Sequence, residues 1–299
     1  MPPDPLFWYG LVLKMAMTAT IVVVASVAVE RSGPFIGALI AALPTAAGAA
    51  YIILALEHPP AFIAASAVGS AAANAAVAIF ALTYAVLAQR HGIVLSIGVA
   101  TLVWFAAAAA LQLVAWTPAS AFALNVFVFG VTVPASARYR RAAVPREAVK
   151  RTRYDIPLRA ATAALVVAAV TTASHSIGSF VSGMFAVFPI VMGSFAVILH
   201  PRVGGPAAGA VFAHAEPALF GLGLGFLTLH YLAEPVGVWW SFAGGLAVAM
   251  AWSAVLWLLR RARVRAAYSS PQKMRRRYLS IESFCSRITL AHFCVCAWM

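Results

Sequence analysis

Acidic residues are scarce in this chain: 8 Asp and Glu stand among 299 residues, against 21 Lys and Arg. All charged residues together make up 10% of it, where a soluble globular domain carries about 25%. That scarcity excludes an ordinary soluble enzyme and a disordered chain. Cysteine is nearly absent too. Cys285, Cys294 and Cys296 all fall in the last 15 residues, and the Cys294-Val-Cys296 pair lacks the spacing and partners of a zinc site. The topology derived below makes them cytoplasmic, so disulfides are not expected. Chemical motifs are also missing: there is no HExxH, GxSxG, P-loop or Rossmann fingerprint. His58, His91, His175 and His200 lie at loop edges without ligand spacing. The sequence therefore offers no catalytic set, no metal site and no cofactor, and it is not read as an enzyme. No cleavable signal pattern stands out, so the first span is taken to serve as the insertion signal.

What is abundant is apolar. Hydrophobic residues make up 63% of the chain, and the mean hydropathy is +0.92. A transmembrane helix needs about 20 apolar residues, and nine runs qualify: Leu6–Val29, Pro34–Leu56, Ala61–Leu87, Ile93–Trp116, Ala119–Ala135, Ile156–Ser174, Ser179–Leu199, Gly204–Leu232 and Val236–Leu259. The fifth is the shortest, at about the lower limit for a span. The expectation is an all-α, polytopic transmembrane helix bundle of about nine spans.

The net charge of +13 is concentrated in two places. Seven cations lie between Arg138 and Arg153 and eight between Arg260 and Arg277, 15 of the 21 in all. Cytoplasmic loops collect Lys and Arg, which explains these clusters without nucleic acid; they also suit anionic lipid head groups. With both clusters inside, five spans place the N-terminus outside; Arg31, Arg90 and Arg202 fall inside, and Glu57 and Glu234 outside. If the fifth run does not cross, the N-terminus is inside. The organisation read is repeat 1 with a linking span (1–135), a basic cytoplasmic loop (136–155), repeat 2 (156–260) and a basic cytoplasmic tail (261–299). The expected location is a bacterial-type inner membrane.

The repeat emerges when the chain is shifted by 145 residues. From Leu13 to Leu54, 12 of 42 positions are then identical, including Gly33/Gly178, Phe35/Phe180, Pro44/Pro189 and Gly48/Gly193, and Lys14 falls on Arg159. Matched Gly and Pro carry backbone meaning. An odd number of spans between copies would invert the second, an arrangement that recurs in secondary transporters with the site at the repeat interface. Parallel copies are also used by transporters, and duplication can simply enlarge a scaffold.

Lys14, followed by Gly33-Pro-Phe-Ile-Gly-Ala-Leu-Ile-Ala-Ala-Leu-Pro44 and Thr45-Ala-Ala-Gly-Ala-Ala-Tyr51, resembles the GlpM family of small bacterial inner-membrane proteins. The family's early Lys and its Gly-x-Leu-x-x-x-x-Pro pattern correspond to Lys14, Gly37, Leu39 and Pro44. Ser179-Phe-Val-Ser-Gly-Met-Phe-Ala-Val-Phe-Pro189 is similar, with Arg159 in place of the Lys. The resemblance covers about 45 residues of each half. It implies an integral membrane protein, here as a tandem duplication, with no assigned chemistry.

Ionisable groups inside spans cost at least about 2.5–3.5 kcal/mol each and default to functional candidates. Glu216 and His214 sit mid-way along the eighth run beside Pro217, which disturbs the helix and frees carbonyls upstream. Together they suit a proton relay or cation site; the alternative is a looped segment where Glu216 meets water. Lys14 and Arg159 lie within their spans, either snorkelling or forming an anion or counter-ion site, one per copy, with an ion pair to Glu216 compatible with both. Pro44 and Pro189 are matched mid-span helix breaks, for a substrate site or gate hinge or for a packing kink. Asn74, Gln112 and Asn125 are expected to hydrogen-bond between helices. His230, Tyr84 and Trp239-Trp240 look like interface anchors. Gly33-x-x-x-Gly37, Gly205-x-x-x-Gly209 and Gly221-x-x-x-Gly225 permit close helix contact, within the bundle or across a homodimer face. Ile288–Met299 is too short to span. Two functions remain: a secondary transporter or exporter of a small solute, coupled to protons through Glu216 and His214, or a non-transporting scaffold or accessory subunit.

Overall fold

The computed structural model describes residues 9–10, 12–20, 23–24, 45–141 and 155–268. Among these residues there is no strand. The helices are α1 (12–20), α2 (Thr45–Glu57), α3 (Pro60–Leu87), α4 (Ile93–Leu111), α5 (Pro118–Ser136), α6 (Asp155–Ala186), α7 (Ile190–Val203), α8 (Gly205–Ala233) and α9 (Val238–Tyr268). A 3-10 turn, Ala137–Arg141, extends α5.

Local chemistry sets these boundaries. Pro60 opens α3 at a position where its missing N–H costs nothing. Thr117 and Ser120 form a reciprocal capping box at the start of α5. Gly204, at φ +83°, supplies the turn into α8. Among the described residues, six helical stretches are long and apolar enough to cross a membrane, including 118–140, the weakest run in the sequence. The apolar helices suit an integral membrane protein.

The sixth and seventh runs of the sequence meet at Gly178, which interrupts α6 with φ +77°. The chain reverses there, because Arg202 at the end of α7 returns to Asp155 at the start of α6, with nitrogen–oxygen distances of 2.6 and 2.8 Å. The returning limb is itself broken. Its first half ends at Ala186 and α7 begins at Ile190, with Pro189 at the junction. The Pro44 and Gly33-x-x-x-Gly37 expectations lie outside the described residues.

α3 is the most enclosed helix, packed against α8, α6, α5 and α4. α3 and α8 run antiparallel along their length. Gly205 packs on the Ala88 carbonyl, Gly209 on Ala85, Asn74 on Leu219, and His230 on the Ala64 carbonyl. One end of the bundle therefore holds His58, Ala64, Ser174 and His230. The other holds Tyr84, Ala88, Asp155, His200 and Arg202, together with Arg138, Arg140 and the Arg260-Arg261 end of α9. α7, α8 and α9 begin 145 residues after α2, α3 and α4 respectively. α9 and α4 are the least buried spans, and their exposed Val94, Leu102, Leu246, Val255 and Leu258 suit contact with lipid.

In hydrocarbon the driving force for helix association is packing rather than the hydrophobic effect. Small residues supply it. A Cβ on Gly221 would overlap Trp252, and one on Gly225 would lie 2.7 Å from the Gly245 carbonyl. Gly205-x-x-x-Gly209 and Gly221-x-x-x-Gly225 are thus used inside the bundle, against α3 and α9.

Candidate functional site

Glu216 lies fully buried in α8, and neither carboxylate oxygen has a hydrogen-bond partner among the described residues. The looped alternative fails: α8 is continuous from Gly205 to Ala233 with Pro217 inside it. Pro217 does not break the helix, contrary to the sequence expectation. It does leave one carbonyl without its intrahelical donor, that of Ala213, four residues earlier. Arg140 fills the vacancy, its Nε donating to the Ala213 oxygen at 2.9 Å. The same guanidinium donates to the Val133 carbonyl at 3.0 Å and to Ser136 Oγ at 3.2 Å. His214 Nε2 lies 3.2 Å from the Arg140 carbonyl. Trp252 Nε1 donates to the Pro217 carbonyl at 2.8 Å.

Arg140 thus joins the two candidates that the sequence put two residues apart. His214 touches its backbone, while its guanidinium acts electrostatically on the Glu216 carboxylate. The sequence reading missed Arg140 because it sat in a basic cluster explained by topology alone. A usable signal existed: of that cluster, Arg138, Arg140 and Arg141 follow the fifth apolar run most closely.

Lys14 is not at this site. Its Nζ is 2.6 Å from Glu57 Oε1, at the opposite end of the bundle from the basic segments. The side chain of Arg159 lies outside the described residues. An ion pair of Glu216 with Lys14, compatible with both readings of that cation, does not form; Arg140 is the cation that acts on Glu216 instead.

Pro189 marks an apolar recess of about 260 Å³. Phe80, Ile97, Leu158, Phe188 and Ile190 are among its lining residues, contributed by α3, α4, the start of α6, the α6–α7 junction and α7. The junction leaves helix carbonyls to satisfy. Ser70 donates to the Gly183 carbonyl at 2.6 Å, and Tyr51 donates to Ser70 at 2.7 Å. The half-helix sits this close because Gly183 lies directly on the Ser66 carbonyl. Phe80 links the recess to α8, its ring centroid 6.3 Å from that of Phe212, one turn before Glu216.

Other polar expectations divide. Asn74 and Asn125 bridge α3, α5 and α8 as expected. Asn74 Nδ2 donates to Asn125 Oδ1 and the Leu219 carbonyl, both at 2.9 Å, and Asn125 Nδ2 donates to Ala71 and Ala121 carbonyls at 2.7 and 2.8 Å. Gln112 does not; it is exposed at the end of α4. Tyr84 is no interface anchor either, being fully buried with its hydroxyl 2.9 Å from His200 Nδ1. Trp239 and Trp240 are exposed, as anchors are.

His58 and His175 are also brought together, their ring centroids 4.4 Å apart beside Glu57. Sequence spacing could not show this, since the two lie 117 positions apart. Burial holds the His58 imidazole below its usual range; His175 and Lys14 act in the same direction and Glu57 opposes.

Comparison with protein-family models, with curated proteins and with solved structures returns no match. The resemblance to the GlpM family accordingly rests on its short motif alone.

Proposed function

We propose that the chain is a secondary transporter or exporter of a small solute in a bacterial-type inner membrane, built from two inverted copies of one helical unit. The observation that carries this reading is the antiparallel crossing of α3 and α8, helices that begin 145 residues apart. The ion pairs agree with it. Positions 57 and 202 are also 145 apart, and each pairs with the first helix of its own half, Glu57 with Lys14 and Arg202 with Asp155. The signs are reversed, with the cation of position 202 at the basic end of the bundle. Nine spans follow if the residues of α1 and α2 complete two crossings.

Inverted repeats place substrate sites at their interface, where helices are interrupted. The recess at Pro189 fits that position, and its lining favours a solute with an apolar body. Glu216 is the proton-coupling group, with Arg140 and His214 completing a path toward the basic end. Alternating access would rock one copy against the other about the α3–α8 contact.

The test uses proteoliposomes containing a trapped pH dye, challenged with pools of small amphipathic solutes. Solute-dependent proton movement that is lost in Glu216→Gln supports the reading. Equal movement in both proteins removes Glu216 from the mechanism. If no pool moves protons and Glu216→Ala changes assembly instead, the scaffold reading gains the ground.

A further inference from the structure

Glu57, His58 and His175 converge at the end of the bundle opposite the basic segments, with one ligand atom of each within 4.8 Å of the others. Glu57 and His58 form the corner between α2 and α3, while His175 lies on α6, so the cluster joins the two halves of the chain.

The surroundings prepare these groups as donors. Ser174 Oγ donates to the Thr171 carbonyl at 2.7 Å and lies 2.8 Å from His58 Nε2. With its single proton so used, the hydroxyl accepts from Nε2–H. That fixes the neutral tautomer and leaves the lone pair on Nδ1. Phe62 stacks on the imidazole at 3.7 Å with an interplanar angle of 7°, holding the ring plane. Lys14 occupies Glu57 Oε1, but Oε2 is buried with no hydrogen-bond partner among the described residues. Beside the Lys14 pair, Oε2 therefore keeps lone pairs open to a second cationic partner.

We propose that Glu57, His58 and His175 bind a divalent first-row transition-metal ion of the Zn²⁺ class. Two imidazoles and one carboxylate favour such ions over Mg²⁺ or Ca²⁺. Bonds of about 2.0–2.2 Å separate tetrahedral donors by about 3.5 Å, so the cluster must contract by roughly 1.3 Å at its widest. Exposed His175 is free to supply that movement. Three protein donors leave a fourth position open to water or a solute. The bound ion ties the α2–α3 corner to α6 beside its reversal. Lys14 opposes it, since its charge lies against the same carboxylate. None of this depends on transport.

The test is a Zn²⁺ titration by calorimetry of the full-length protein in lipid nanodiscs, with Cys285, Cys294 and Cys296 changed to Ser in every sample. Co²⁺ in place of Zn²⁺ reports tetrahedral geometry through its visible bands. The parent should take up one ion more than His58→Gln or His175→Gln and should alone show the bands. Ser174→Ala should weaken binding by about tenfold, as loss of an outer-shell partner does, and Lys14→Met should tighten it. Thermal transitions recorded without metal separate a lost ligand from a lost fold. Equal stoichiometry and spectra in the parent and both histidine variants would overturn the site. Should those variants fail to fold, Lys14→Met decides: tighter binding supports the site and unchanged binding overturns it.

Discussion

Asn74 Nδ2 donates to the Leu219 carbonyl at 2.9 Å, and the two residues stand 145 apart, the interval at which the sequence matches itself. A two-fold relation between antiparallel copies requires that some residue meet its own counterpart. In the inverted arrangement proposed above, Asn74 and Leu219 take that place, midway between the Ala64–His230 and Ala88–Gly205 contacts. The polar partners there stitch in α5 through Asn125, the helix that lies between the two halves in sequence.

Replacing Asn125 by Ala removes both carbonyl bonds and the acceptor for Asn74. Interhelical hydrogen bonds in membranes average about 0.6 kcal/mol and reach about 1.7. Asn125→Ala should therefore destabilise the bundle by roughly 1–2 kcal/mol, measured as a shifted unfolding curve in mild detergent.

Pro217 and Arg140 should couple. In Pro217→Ala the helix regains the N–H that satisfies the Ala213 carbonyl, and the Arg140 bond becomes redundant. Arg140→Ala should cost about 1–2 kcal/mol in the parent and distinctly less in the Pro217→Ala background. A double-mutant cycle on unfolding free energy reads the difference. Strict additivity would show that Arg140 does not serve that carbonyl.

Gly183 and Gly130 make a matched pair. A Cβ at Gly183 overlaps the Ser66 backbone, whereas nothing lies within 4 Å of one at Gly130. Gly183→Ala should destabilise by about 1–3 kcal/mol, as overpacking does. Gly130→Ala should be neutral or gain a few tenths of a kcal/mol from helix propensity. Thermal unfolding of the two variants side by side checks the contrast.

The ion pair at the basic end should be worth little by itself. Asp155 is buried but its partner Arg202 is partly accessible, so solvent screens the pair from one side and Asp155→Asn should lower stability by about 1 kcal/mol, less at high salt. A larger, salt-insensitive loss would mean that this pair organises the α6–α7 hairpin.

Much of the fold was legible because apolar length and punctuation are local signals. The runs beginning at Ala61, Ile93 and Gly204 match α3, α4 and α8 to within a residue or two at most ends; α4 stops five residues short, at Leu111 rather than Trp116. Pro189 was legible as an interruption for the same reason. Pro217 was not, because whether a proline breaks a helix depends on who satisfies the freed carbonyl, and Arg140 arrives from another helix. Glu216 stood out as a carboxylate in an apolar run, but its neighbours did not. The Glu57–His58–His175 cluster was invisible for the same reason: His175 reaches the α2–α3 corner only because α6, rising from Asp155 at the basic end, packs against α2 and α3. Lys14 kept two readings in the sequence because a cation near the start of a span shows its depth but not its partner, which is Glu57.

Opposite orientation of the two copies, as proposed above, is read out by the sidedness of five positions. Reporter fusions after residues 4, 118, 145, 175 and 270 should place 4, 118 and 175 outside and 145 and 270 inside. An internal residue 4, with 145 and 270 also internal, would make the copies parallel and contradict the account.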